Sequence, residues 1–85
     1  MLELIKNCEE YLDEEAKQEV MHFYSHGEYE MSLEGLLLEM IKIQKYPSNI
    51  AKERISELAV YYHLDSESVF DYEFWKKYLI WIGKK

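Results

Sequence analysis

Cys8 is the only cysteine in the sequence. That excludes an internal disulfide and any metal site built from several cysteines. A small domain without such staples fits a reducing cytoplasm. Bases are scarce where acids crowd: residues 1–39 hold eleven acids against Lys6 and Lys17, whereas residues 40–85 hold six acids against eight bases. The net charge of -7 therefore arises in the first half. No basic footprint is present to meet phosphates, which argues against DNA or RNA as a ligand. No uninterrupted apolar run approaches the roughly 18 residues of a membrane span. The start, Met1-Leu2-Glu3-Leu4-Ile5-Lys6, is charged within three residues and has no apolar h-region, so no secretory leader is expected. Asn-Gly and Asp-Gly turns are absent, as is any strand-length alternation of apolar and polar residues.

What remains is helical. The 85 residues, 48% hydrophobic and 15% aromatic, suffice for one core and one domain spanning 1–85. Leu2, Ile5, Cys8 and Leu12 recur at helical spacing, giving a first amphipathic helix. Asp13 is a good N-cap, with Glu14 and Glu15 in the following turn, where the helix dipole favours acids. A second helix is expected from Glu14 to about Ser25, with Ala16, Val20, Phe23 and Tyr24 inward and Gly27 as its left-handed terminator. The most apolar helix follows, from about Tyr29 to Lys45. Gly35 inside it points to close packing by a neighbouring helix. Tyr46-Pro47 ends it, with Ser48 or Asn49 capping a fourth helix over about Ile50–His63. Asp65 or Ser66 opens a last helical segment with the stripe Val69, Phe70, Phe74, Tyr78, Leu79 and Ile82, and Gly83-Lys84-Lys85 frays. The fold class is all-α: a compact antiparallel bundle of four to five short helices with tight connections.

Signs of chemistry are weak beside their plain alternatives. Glu19 and His22 form a Glu-x-x-His pair, and Glu15, Glu19, His22 and His26 share one helix face, as in bundle metal sites. A second such pair is missing, so a solvated mixed-charge face is the better reading and no metal or cofactor is expected. Cys8 on an inner stripe reads as a small buried hydrophobe, and His63 as a helix end cap. No phosphate loop or nucleophile elbow appears. The protein reads as a non-enzyme. The tail from Phe74 mixes aromatics and lysines, which serve the core and balance the acidic half rather than a membrane surface. Trp75 and Trp81 do not share one inner stripe, which leaves one of them for an interface.

The strongest signal is an anionic surface. Glu10 and Glu14 fall one turn apart if the first two helices are continuous. Glu30 and Glu34 fall one turn apart on the third helix, where like charges oppose helix formation by about 0.2–0.5 kcal/mol. Glu28 and Tyr29 stand beside them. A basic protein partner explains such a patch, because an acidic face speeds encounter with a positive surface. Glu10, Asp13, Glu14, Glu28, Tyr29, Glu30 and Glu34 are its candidate contacts. Solubility alone accounts for the acid excess but less well for its one-sided distribution.

The run His26-Gly27-Glu28-Tyr29-Glu30-x-x-Leu33-Glu34-x-Leu36-Leu37, after Val20-Met21-His22-Phe23, resembles the MafI-type immunity proteins. It is also similar to the small helical CdiI immunity proteins of contact-dependent growth inhibition. Tyr46-Pro47, Glu57-Leu58-Ala59 and Leu64-Asp65-Ser66-Glu67-Ser68 continue the likeness, which spans about residues 10–70. Ser32 stands where the family commonly has alanine, and the aromatic tail is less typical. The resemblance implies a cytoplasmic, monomeric inhibitor without catalytic activity. It would bind one-to-one to the nuclease domain of a cognate toxin, in the MafI-type group often an EndoU-like ribonuclease with a cationic RNA cleft. Glu28, Tyr29, Glu30 and Glu34 would cover that cleft, and Glu10, Asp13 and Glu14 would extend the charge match. The alternative is a helical adaptor or regulator whose exposed aromatics hold an apolar helix of another protein.

Overall fold

Helix α1 spans Leu2–Cys8, a 3₁₀ turn Glu9–Tyr11, α2 Glu14–Ser25, α3 Tyr29–Ile43, α4 Lys52–Tyr61 and α5 Phe74–Gly83. The computed structural model describes residues 1–47, 49–68 and 70–84, and among these there is no strand. The expected all-α bundle is therefore the fold.

The break between the first two helices falls where Asp13 predicts it. The chain tightens to 3₁₀ after Cys8, and Leu12 runs extended with ψ 141°. Asp13 then caps α2, its Oδ1 accepting from the Ala16 amide at 2.8 Å. One expectation fails here. Leu2 is exposed, and Leu4 takes its place beside Ile5 and Cys8 in the core. Because α1 and α2 are not continuous, Glu10 and Glu14 do not stand on adjacent turns of one helix.

α3 is the central helix, with Leu33, Leu36, Leu37 and Met40 wholly buried. It ends at Ile43, two residues before the expected Lys45, through left-handed Gln44 at φ 55°. α4 begins at Lys52 rather than Ile50. Asn49 has φ 64°, and Ala51 holds the N-cap position without a side-chain bond. The other expected cap, Ser48, lies outside the described residues. α4 stops at Tyr61, before the expected His63, which turns the chain at φ 65° instead of capping the helix with its ring.

The largest departure follows. The described residues between Tyr62 and Glu73 are not helical, so neither Asp65 nor Ser66 starts a helix and α5 opens only at Phe74. Val69 lies outside the described residues, and Phe70 is half exposed instead of core. In α5 the inner stripe is Phe74, Tyr78, Trp81 and Ile82, while Leu79, about 100° round the helix from Tyr78, is 51% exposed. Both tryptophans pack on this core. Trp81 is buried, stacks on Tyr46 at 4.9 Å and donates Nε1–H to the Lys45 carbonyl at 3.1 Å. The Tyr46 hydroxyl returns a bond to the Trp81 carbonyl at 2.6 Å. Trp75 is half-buried and stacks on Tyr78 at 5.0 Å. These bonds fasten α5 to the C-terminal end of α3.

Candidate functional site

The corner between α2 and α3 is built by backbone chemistry. α2 closes in a Schellman motif: the Gly27 amide donates to the Tyr24 carbonyl at 3.2 Å and the Glu28 amide to the Phe23 carbonyl at 2.9 Å. This closure needs a left-handed residue, and Gly27 supplies it at φ 74°. α3 starts at once, with the Ser32 amide on the Glu28 carbonyl at 3.0 Å. The buried Ser32 hydroxyl donates to the Val20 carbonyl at 2.9 Å and ties the two helices together below the corner.

Gly27, Glu28, Tyr29, Glu30, Met31 and Tyr62 surround a cavity of about 280 Å³ at this corner. Glu28 and Tyr29 are exposed and Glu30 half-buried. None of the three acid–base pairs among the described residues involves Glu28 or Glu30; they are Lys17–Glu14, Arg54–Glu57 and Lys77–Asp71. Tyrosines form the remaining wall. Tyr29 meets Tyr24 at 5.3 Å and Tyr62 at 6.0 Å between ring centroids, and Tyr62 meets Tyr61 edge-on at 4.9 Å. Burial, then the neighbouring Tyr61, Tyr29 and Tyr24 phenols, push the Tyr62 phenol up from its ordinary value.

Of the seven sequence-derived contact residues, the structure brings Glu28, Tyr29 and Glu30 together. Glu34 is a correction: it is 0% exposed. Its Oε2 accepts from the Phe70 amide at 2.9 Å and the Asp71 amide at 3.0 Å. It therefore holds the long turn before α5 and presents no carboxylate to a partner, and the expected repulsive pair with Glu30 at the surface is not formed. Glu10, Asp13 and Glu14 lie at the other end of α2. That helix has 12 residues, so about 18 Å separates them from the corner. Asp13 is committed to its cap and Glu14 lies 3.5 Å from Lys17.

No family model, curated protein or solved structure matches this chain. The site is thus described by its own side chains. Tyr62 is absent from the sequence-derived contacts, because its spacing continues the inner stripe of Ile55, Leu58 and Ala59; it stands at the C-cap of α4, partly packed on the core, with its ring 6.0 Å from that of Tyr29. Among the described residues no group of three or more His, Cys, Asp or Glu side chains is placed to hold a metal ion. His26 Nδ1 instead lies 2.8 Å from the His22 carbonyl. Cys8 is buried, and desolvation pushes its thiol up to about 12, the opposite of what a nucleophile requires. No helix among the described residues is long and apolar enough to cross a membrane.

Proposed function

We propose that this protein is an immunity protein that binds the basic nuclease domain of a toxin through the α2–α3 corner. The observation that carries this reading is that Glu28 and Glu30, in no ion pair among the described residues, stand with the exposed Tyr29 on a concave surface. Carboxylates left unneutralised by their own fold raise the encounter rate with a positive partner. Tyrosine adds rigid contact area, as at many interfaces. The reading also agrees with the likeness of residues 26–37 to the MafI-type and CdiI proteins.

The test is reconstitution with a basic toxin nuclease domain found encoded beside this chain. A one-to-one complex should form, RNA cleavage should stop, and the association rate should fall steeply with salt. Charge reversal of Glu28 and Glu30 together should weaken binding about tenfold or more with the helical circular-dichroism spectrum unchanged. A double reversal that binds and inhibits normally removes the corner from the interface.

The adaptor reading has one observation in its favour. A groove of about 730 Å³ runs between α4 and α5, lined in part by Ser56, Val60, Tyr61 and Ile82. Binding there would depend weakly on salt, and Val60→Asp would abolish it.

A further inference from the structure

We infer that the corner cavity is an anchor site for a single arginine side chain of the protein partner; this rests on the proposed toxin-binding reading and names the group that the partner must present. Charge comes first. Glu28 and Glu30 border the cavity and take part in no ion pair among the described residues. The cavity also opens at the N-terminus of α3, whose dipole by itself would favour an anion. That dipole amounts to roughly half a positive charge, against two full negative charges, so the local balance selects a cation. The helix end still has a role: it explains why two acids are tolerated so close together.

The walls then select among cations. Tyr29 and Tyr62 line it with aromatic rings, their centroids 6.0 Å apart and planes inclined at 48°, and Met31 adds an apolar, polarizable side. Gly27 borders the opening, where the backbone lies in open space and its φ of 74° calls for glycine. A flat guanidinium stacks on a tyrosine face while its fork of N–H donors reaches two carboxylates. The ammonium of lysine is a compact, strongly hydrated point charge and gains less from stacking. Tyr62 is thereby a specificity residue, brought into the site from α4.

The experiment is an NMR titration of the isotope-labelled full chain with Nα-acetyl-arginine amide, its citrulline analogue and its lysine analogue. Citrulline keeps the shape of arginine and removes the charge. The arginine probe should shift the amide signals of residues 27–31 and Tyr62 and bind about tenfold more tightly than citrulline, with lysine between them. Glu28→Gln with Glu30→Gln should reduce arginine to the citrulline level. Tyr62→Leu should weaken it, and Tyr62→Phe should restore it. Equal response to arginine and citrulline, or shifts centred elsewhere, would overturn the inference on the unmodified protein, whatever the variants do. The two readings fail separately: nuclease binding through the corner without any arginine preference overturns the anchor alone. An arginine-selective cavity on a protein that ignores the nuclease overturns the immunity reading alone.

Discussion

Glu34 carries its carboxylate into the interior, and the turn at Phe70–Asp71 folds onto it. Deleting that acceptor strands two amide donors, each worth roughly 1–3 kcal/mol when left unsatisfied. Some of that is recovered by water, because the turn is only partly buried. Glu34→Ala should therefore lower unfolding stability by about 1–3 kcal/mol in urea titration, while the folded fraction binds the partner as before. Stability within about 0.5 kcal/mol of the parent would mean that the turn holds without it. In the sequence, Glu34 is indistinguishable from a surface acid, since Glu30 and Glu34 have ordinary i,i+4 spacing on a helix. What buries it lies 36 residues further on, at Phe70. By contrast Asp13 and Gly27 are legible because their work is local: one side chain caps three residues away, and one backbone conformation ends a helix. That Glu28, Tyr29 and Glu30 lie together is legible for the same reason, since they are consecutive at one corner, whereas Tyr62 reaches them only through the tertiary fold.

Among the elements, α3 shows what pattern can and cannot specify. Its apolar face is so broad that burial follows in almost any packing: Leu33, Leu36, Leu37 and Met40 are inside and Ile41 is partly so, while Gln44, on the same spacing, is exposed where it ends the helix. Gly35 is another exception. A close helix contact would account for it, yet a Cβ at that position would meet only the Phe70 ring, at 3.9 Å, an ordinary contact. Gly35→Ala should therefore fit, and should stabilise the fold by up to about 1 kcal/mol through helix propensity; a loss of stability in thermal or urea unfolding would mean that the Phe70 turn needs that space. α5 was harder to read, because Leu79 and Trp81 fit its apolar pattern equally well. The bonds of Trp81 with Lys45 and Tyr46 fix the register and leave Leu79 outside. Asp71 is the device that opens α5. Its Oδ1 accepts from the Glu73 amide at 2.9 Å and its Oδ2 from Lys77 at 2.6 Å. The bond from Lys77, then that from Glu73, holds the Asp71 carboxyl below its ordinary range.

For the whole molecule, the titrating groups that burial perturbs lie on the alkaline side. Desolvation raises Cys8 to about 12. Burial also raises the Tyr78 phenol, against a smaller opposing effect of its bond with Ser56, and raises Tyr62. Each group holds its proton more tightly folded than unfolded. Its contribution is therefore complete below the unfolded value, near 8.5 for a thiol and 10 for a phenol, and is lost as pH rises through the raised folded value. The urea midpoint should stay flat from about pH 7 to 8 and decline from about pH 9 upward. A midpoint unchanged to pH 11 would show that these groups are solvated. Over the same range Cys8 should resist alkylation until the chain unfolds.

The two tryptophans, Trp75 and Trp81, both belong to α5. Trp81 is fastened to the end of α3 opposite the corner. α3 has 15 residues, so about 22 Å of helix separates that end from Glu28 and Tyr29. The Trp81 indole thus reports the seating of α5, while the rings that line the corner cavity are phenols. With Trp75 replaced by phenylalanine, indole emission and corner tyrosine absorbance become two optical channels set apart by the length of α3.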